Sequence, residues 1–398
     1  MGFEVEQNND GFDVVDDFHY STRIMVFGVG GAGGNAVGHM VEAKISDVEY
    51  VVANTDVAAL RKKDGSLMKR IQLGRKLTKG QGAGNDPAKG REAAVETSEE
   101  IAQSFDGVSI LFVAAGMGGG TGTGAAPIVA QLAKEKGILT IGVVTKPFDW
   151  EGAQKMEMAI KGIAEMKKNV DALIVIPNDR VRLLKGANIS VMNAFIKVDE
   201  ILGKAVSGLI QLLRGNGYIN VDFADICATL RDSGIAHMAI GSGKGENKID
   251  DALDEVLNSP LLETSITGAK RALLNISVSN PDSMGIEEYE QLNKKLAEKF
   301  NPNARYKIGM EFDETLADDE LSIIAVATDF DEVPQPQPAK KPAPSANAAP
   351  GQSEQETPAA DSPEEARANS EKPVLGADPS YTESQDIELL LRKFQSNN

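Results

Sequence analysis

Short apolar runs alternate with helix-spaced segments along the first half of the chain. The runs are Ile24–Val29, Glu49–Ala53, Ser109–Ala115, Leu139–Thr145 and Ala172–Pro177, and between them lie Asn35–Glu42, Gly124–Glu135 and Gly152–Lys168. Short apolar strands separated by helices predict a parallel sheet buried on both faces, since parallel neighbours need helical crossovers. The expected fold class is therefore α/β, a doubly wound nucleotide-binding architecture. A long helix follows over about Val191–Leu213, with Phe195, Val198, Leu202, Val206 and Ile210 at helical spacing, and it stops at Arg214-Gly215-Asn216-Gly217. Its length suits a bridge between two units. From about Gly234, strands Ala236–Ile240, Leu273–Ser279, Arg305–Met310 and Leu321–Thr328 with helices Asp250–Asn258 and Ile286–Phe300 predict a second, α+β unit.

After Phe330 the pattern stops. Residues 331–380 hold ten of the 17 prolines and no aromatic residue, the composition of a disordered linker with a mean reach of roughly 40 Å. Beyond it, Thr382-Glu383-Ser384-Gln385 has the form of a capping box, and Ile387, Leu390, Leu391 and Phe394 recur at helical spacing. An amphipathic peptide on a long tether is expected to dock on a partner. Residues 1–20 are expected to form a loose acidic arm.

Charge narrows the partners. The formal net charge is −18, and residues 331–398 contribute only 12 acidic and 6 basic residues, so the body keeps −12. That opposes nonspecific binding to nucleic acid or anionic lipid, and it makes self-association sensitive to salt and divalent cations. Cys227 is alone, and His19, His39 and His237 have no metal-ligand spacing. The start is acidic rather than basic, and no run approaches the 18 or so apolar residues of a membrane helix. A cytoplasmic protein with no direct membrane insertion is the expectation.

Two glycine clusters carry the chemistry. Gly28-Val29-Gly30-Gly31-Ala32-Gly33-Gly34-Asn35 follows a strand and opens a helix. Glycines allow bare backbone N–H groups to approach a phosphate, and a helix N-terminus adds partial positive charge. Gly28, Gly30 and Gly33 also fit the dinucleotide fingerprint, with Asp47, Glu49 or Asp56 as ribose acid. This cluster alone leaves an NAD-dependent oxidoreductase open. The second cluster, Gly116-Met117-Gly118-Gly119-Gly120-Thr121-Gly122-Thr123-Gly124, has no role in that reading. Amides and threonine hydroxyls packed this densely after a buried strand suit an anion. No Walker lysine motif is present, so amides must carry more of the phosphate charge.

Gly118–Gly124 resembles the signature of the tubulin superfamily. With Gly28–Val37, Asn54–Asp56, Gly82–Gly84, Thr145–Phe148 and Asn220–Asp225, it resembles the FtsZ family of bacterial cell-division GTPases, in order, over about residues 21–330. The resemblance implies a tubulin-like GTPase domain (21–190), a central helix with a catalytic loop and helix (191–233), a C-terminal α+β domain (234–330), the linker (331–380) and a partner-binding peptide (381–398). It implies that Gly30, Gly31, Ala32, Gly33, Gly34 and Asn35 hold GTP, with Asn35 beside the base, and that Gly118, Gly119, Gly120, Thr121, Gly122 and Thr123 wrap the phosphates. Ala83 and Gly84 match the loop that senses the γ-phosphate, Glu151 the ribose contact, Asn178 and Asp199 the guanine-reading positions, and Phe195 the ring stacked on the base. A carboxylate at Asp199 suits guanine, which offers it two N–H donors where adenine does not.

The resemblance further implies that Asn220, Asp222 and Asp225 enter the pocket of the next subunit and position the attacking water and a cation. GTP would then be hydrolysed to GDP only on head-to-tail assembly, with Mg²⁺ held largely by the phosphates. Asp222 and Asp225 also suit a helix start, Asp222 as its cap. Membrane-tethering and regulatory division proteins would bind 381–398, and the filaments would form the midcell division ring. The remaining alternative is a scaffold that binds nucleotide with little turnover. Departures from the family pattern are Lys155 where arginine is usual, Asn85-Asp86-Pro87 in the third loop, Ile226-Cys227-Ala228-Thr229 after the acidic motif, and a terminal peptide without its proline.

Overall fold

The computed structural model describes residues 22–45, 47–183, 190–214, 219, 221–259, 266–299 and 304–330. Its first half runs β1 (Ile24–Val29), α1 (Gly30–Glu42), β2 (Val48–Asn54), α2 (Val57–Arg61), β3 (Lys69–Gln72), α3 (Arg75–Thr78), α4 (Pro87–Glu96), α5 (Ser98–Ser104), β4 (Ile110–Gly116), α6 (Gly120–Glu135), β5 (Leu139–Lys146), α7 (Ala153–Asn169) and β6 (Ala172–Pro177). The second half runs α8 (Val191–Arg214), α9 (Phe223–Leu230), β7 (Gly234–Lys244), α10 (Lys248–Leu257), β8 (Ala269–Val278), α11 (Ile286–Lys299), β9 (Arg305–Phe312) and β10 (Glu320–Phe330).

The strand order is β3-β2-β1-β4-β5-β6-β7-β10-β8-β9, a single ten-stranded sheet. From β3 through β7 every pairing is parallel. Successive residues of β1 enter opposite cores, as a strand covered on both faces requires. Ile24 and Val26 pack with α1 and α8, whereas Met25, Phe27 and Val29 pack with α4, α6 and α7.

The second unit continues this sheet rather than packing beside it. Gly234–Ala236 of β7 pair with β6, and the register then passes to β10, which pairs with β7 from His237 to Lys244. The third core lies beneath α10 and α11.

Helix α8 joins the two units. Its Val198, Leu202, Val206, Leu209 and Ile210 are buried in one cluster with Val37 and Met40 of α1 and with Met238, Leu273 and Ile324 of the second unit. Burial of each large aliphatic contributes about 1.5–3 kcal/mol. Two glycines mark its crossings. A Cβ at Gly203 would stand 3.4 Å from the Ala36 carbonyl oxygen of α1, and one at Gly208 would stand 2.6 Å from Ile324 Cδ1 of β10.

Structure and expectation differ at the helix starts. Helix α1 begins at Gly30, not Asn35, and α6 at Gly120, not Gly124. Much of each expected loop is the first turns of a helix. The short elements β3, α2, α3 and α5 carry too few residues to show a period, and α4 buries only the small residues Gly90, Ala93 and Ala94, which give no apolar stripe. Asp222 occupies the N-cap position of α9, as expected, but its side chain makes no capping hydrogen bond. The acidic arm, the linker and the terminal peptide lie outside the described residues.

Gly241 and Gly243 let α10 lie directly on β7. A Cβ at Gly243 would fall 1.8 Å from the Lys248 carbonyl oxygen. Gly243→Ala should therefore cost about 1–3 kcal/mol by overpacking, read as a lowered midpoint in urea denaturation.

Candidate functional site

Helices α1 and α6 start side by side at the carboxyl ends of β1 and β4, which are paired neighbours. A Cβ at Gly30 would stand 3.1 Å from the Gly122 nitrogen. Neither helix has a side-chain cap or an acidic residue in its first turn. Their first amides and both helix dipoles thus point at one place, and neither first turn supplies an anion.

The glycines divide by what their missing side chains allow. A Cβ at Gly33 would meet the Ala114 oxygen at 2.1 Å, one at Gly122 the Gly116 oxygen at 2.3 Å, and one at Gly124 the Pro87 oxygen at 2.0 Å. These positions seat α1 and α6 on β4, and α6 against α4. Gly31 and Gly84 meet nothing within 4 Å, and Gly119 only the Asn85 side chain at 3.9 Å. These three leave space for a ligand. Gly30, Gly31, Gly34, Asn35, Asn54 and Lys63 are among the residues around a cavity of about 250 Å³ beside α1.

The loops behind the two helices are tied together. Thr55 Oγ1 and Thr121 Oγ1 are 2.7 Å apart, and the Gly82 amide donates to the Thr55 carbonyl. Thr123 is buried, and its Oγ1 accepts the Gly118 amide at 2.9 Å, so this hydroxyl shapes its own loop. In the third loop Asp86 caps α4 through the Ala88 amide, with Pro87 at the first helical position. Asn85 beside it adopts φ +61°. The departure noted there thus builds a helix start. Ala83 and Gly120 are close neighbours, with a Cβ at Gly120 only 2.9 Å from that of Ala83.

The opposite wall suits a base and a sugar. Asn35 Nδ2 donates to Asp199 Oδ2 at 2.9 Å, and burial pushes the Asp199 carboxyl above its ordinary pKa while Asn35, His39 and Lys63 pull it back. Asn178 is 5% exposed, and its Oδ1 has no hydrogen-bond partner among the described residues. An orphaned buried acceptor costs about 1–3 kcal/mol unless a ligand supplies a donor. Phe195 meets Phe148 and Trp150 edge-on at 5.3 and 5.5 Å, and Phe148 and Trp150 stack at 5.1 Å. Trp150 is 53% exposed, an aromatic surface the sequence reading did not single out. Glu151 accepts the Phe148 amide and pairs with Lys155 at 3.0 Å, so Lys155 holds the carboxylate expected to meet a ribose. Of the acids considered for a dinucleotide ribose, Glu49 pairs with Arg23 and Asp56 caps α2.

The acidic motif is not at this edge. Helix α8 starts near the carboxyl end of β6 and, at 24 residues, runs about 36 Å. Helix α9 then leads into Gly234, which pairs with Ala172 at the other end of β6. Asp222 and Asp225 therefore lie across the sheet from α1 and α6. Asp225 pairs with Lys307 of β9 at 2.9 Å, and its hydrogen bond to Lys307, with the charges of Asp225 and Asp222, holds the ammonium above its ordinary pKa. Asn220 lies outside the described residues; its neighbour Ile219 bridges Met310 of β9.

Residues 23–184 match the family model of the Tubulin/FtsZ family GTPase domain, and 234–331 that of the FtsZ family C-terminal domain. The chain is 42% identical over 318 residues to the cell division protein FtsZ of Pseudomonas putida, covering 80% of this chain and 79% of that protein. The chain belongs to the FtsZ family. It is a GTPase that binds GTP and GDP, and the FtsZ family forms cell-division filaments. The Pseudomonas aeruginosa FtsZ is 41% identical with the same coverage. Among solved structures, an empty FtsZ dimer of M. jannaschii superposes with a TM-score of 0.73 at 37% identity, over 77% of this chain and 88% of that one. The shared fold is the tubulin/FtsZ fold, and the dinucleotide alternative falls with this assignment.

Gly31 lies in helix α1 and faces open space. Gly31→Ala should leave stability unchanged or raise it by up to about 1 kcal/mol while weakening GTP binding. Gly33→Ala should instead destabilise the fold. Urea denaturation beside equilibrium dialysis with GTP separates the two effects.

Proposed function

We propose that the chain polymerises head to tail and hydrolyses GTP at the junction of two copies, forming filaments of the midcell division ring. The observation that carries this reading is the separation of Asp222 and Asp225 from α1 and α6 across the sheet. Acids at one edge and anion-binding helices at the other cannot meet within one chain. They meet when copies stack with one chain's acidic edge on the next chain's glycine edge.

GTP lies with its phosphates at the starts of α1 and α6, where Gly30, Gly31, Gly34, Gly119 and Thr121 present backbone and hydroxyl donors. Asn178 and Asp199 read guanine, Phe195 with Trp150 flanks the base, and Glu151 with Lys155 meets the ribose. The next copy brings Asn220, Asp222 and Asp225 to the γ-phosphate, where Asp225 orients the attacking water. Phosphoryl transfer needs positioning and charge stabilisation more than covalent help. The phosphates and these carboxylates offer the hard oxygen donors that suit Mg²⁺, which would offset charge on the transferring phosphoryl group. The peptide 381–398 binds division partners, including a membrane tether. Among the described residues no helix is long and apolar enough to cross a membrane.

Two measurements test this. Phosphate release per monomer should appear only above a threshold protein concentration and then rise; concentration-independent turnover would refute the shared site. Asp225→Ala should keep GTP binding and lose about 100-fold or more in turnover. Mixed with wild type, it should poison the filaments' turnover.

A further inference from the structure

One basic residue close to the guanine-reading pair has no role in the reading so far. Lys63 follows α2, and its Nζ donates to Asn35 Oδ1 at 3.0 Å. The other end of the same amide donates from Nδ2 to Asp199 Oδ2 at 2.9 Å. The lysine reaches this point along α1, at positions that carry no side chain. A Cβ at Gly34 would stand 3.8 Å from Lys63 Cε, and one at Gly38 would stand 3.4 Å from Nζ.

An amide held between an ammonium and a carboxylate has only one workable orientation. Turned over, it would set its NH₂ against the ammonium and its carbonyl against the carboxylate, two repulsive contacts in place of two charge-assisted bonds. We propose that Lys63 is a positioning residue for guanine recognition: it locks the Asn35 amide, and Asn35 in turn aims the Asp199 carboxylate at the base. This rests on the reading above, in which Asp199 meets the guanine N1–H and 2-amino group.

Charge adds to geometry. Asp199 must be ionised to accept two hydrogen bonds, and burial opposes its ionisation. Three groups facing it, Asn35 and His39 of α1 and Lys63, favour the carboxylate. Burial lowers the Lys63 ammonium from its ordinary pKa, and Asp199 with Glu42 of α1 pulls it back up. His39 itself lies 3.6 Å from Glu42. Without Lys63 the Asp199 carboxyl would protonate at a higher pH, and the bidentate contact would be lost from that pH downward.

Binding of GDP and of inosine diphosphate, which lacks the 2-amino group, tests the role without turnover. Nucleotide-free full-length protein is titrated by calorimetry as wild type, Lys63→Met, Lys63→Arg and Asp199→Ala. Lys63→Met is expected to lower GDP affinity about tenfold, as for a lost hydrogen bond to a charged group, and inosine diphosphate affinity markedly less. Its GDP affinity should also fall away at a higher pH than in wild type on acidification. Lys63→Arg keeps the charge and a donor and should restore both. Equal losses for the two nucleotides, or an unshifted pH profile, would overturn the positioning role. So would wild-type binding by Lys63→Met beside an Asp199→Ala variant that no longer prefers GDP. An Asp199→Ala variant that keeps that preference would overturn the guanine-reading assignment and this proposal with it.

Discussion

Everything in the first half of the chain serves one electrostatic demand. Two helices begin together at the ends of neighbouring strands, with bare amides and no capping side chain or acid. Backbone donors left without an intrahelical partner need one from outside the helix, and the phosphate chain of GTP is the partner proposed for them. The glycines at Gly33, Gly122 and Gly124 make this possible by letting helix backbones sit within van der Waals distance of strand and neighbouring helix backbones. The Thr55–Thr121 contact and the Asp86 cap then fix the loops at the rim.

The same sheet that concentrates positive potential at one edge carries the acids at the other. The continuity of the sheet through β7, and the clamp of α8 between α1 and β10, hold the two edges at a fixed separation. This separation is the basis for proposing a reaction centre shared between stacked copies. The Lys307–Asp225 pair offsets some of the acidic charge at that edge, which matters in a body of net charge −12.

The sequence signal was strongest where a physical demand forces a residue type. Short apolar strands located β1, β2, β4, β5 and β6 to within a residue or so, because burial on both faces leaves no polar alternative. The period of α8 was equally plain. The glycine clusters stood out, yet not which of their glycines face open space and which face backbone. Gly31 and Gly33 are two positions apart and indistinguishable in one dimension, while one points into open space and the other against Ala114. The orphaned acceptor of Asn178 and the stack of Trp150 on Phe148 likewise depend on which segments meet.

By itself the sequence determined the alternating α/β architecture, the two anion-seeking helix starts, the separate acidic motif and the family to which they belong. These follow from composition and order along the chain. Only the tertiary structure decided that the second unit extends the first sheet and that the acids stand across it from the starts of α1 and α6. It also decided that Lys63 reaches Asn35 and that Lys307 reaches Asp225. Those contacts join residues from different elements, set by how strands pair and helices cross, and no local pattern of residues encodes them.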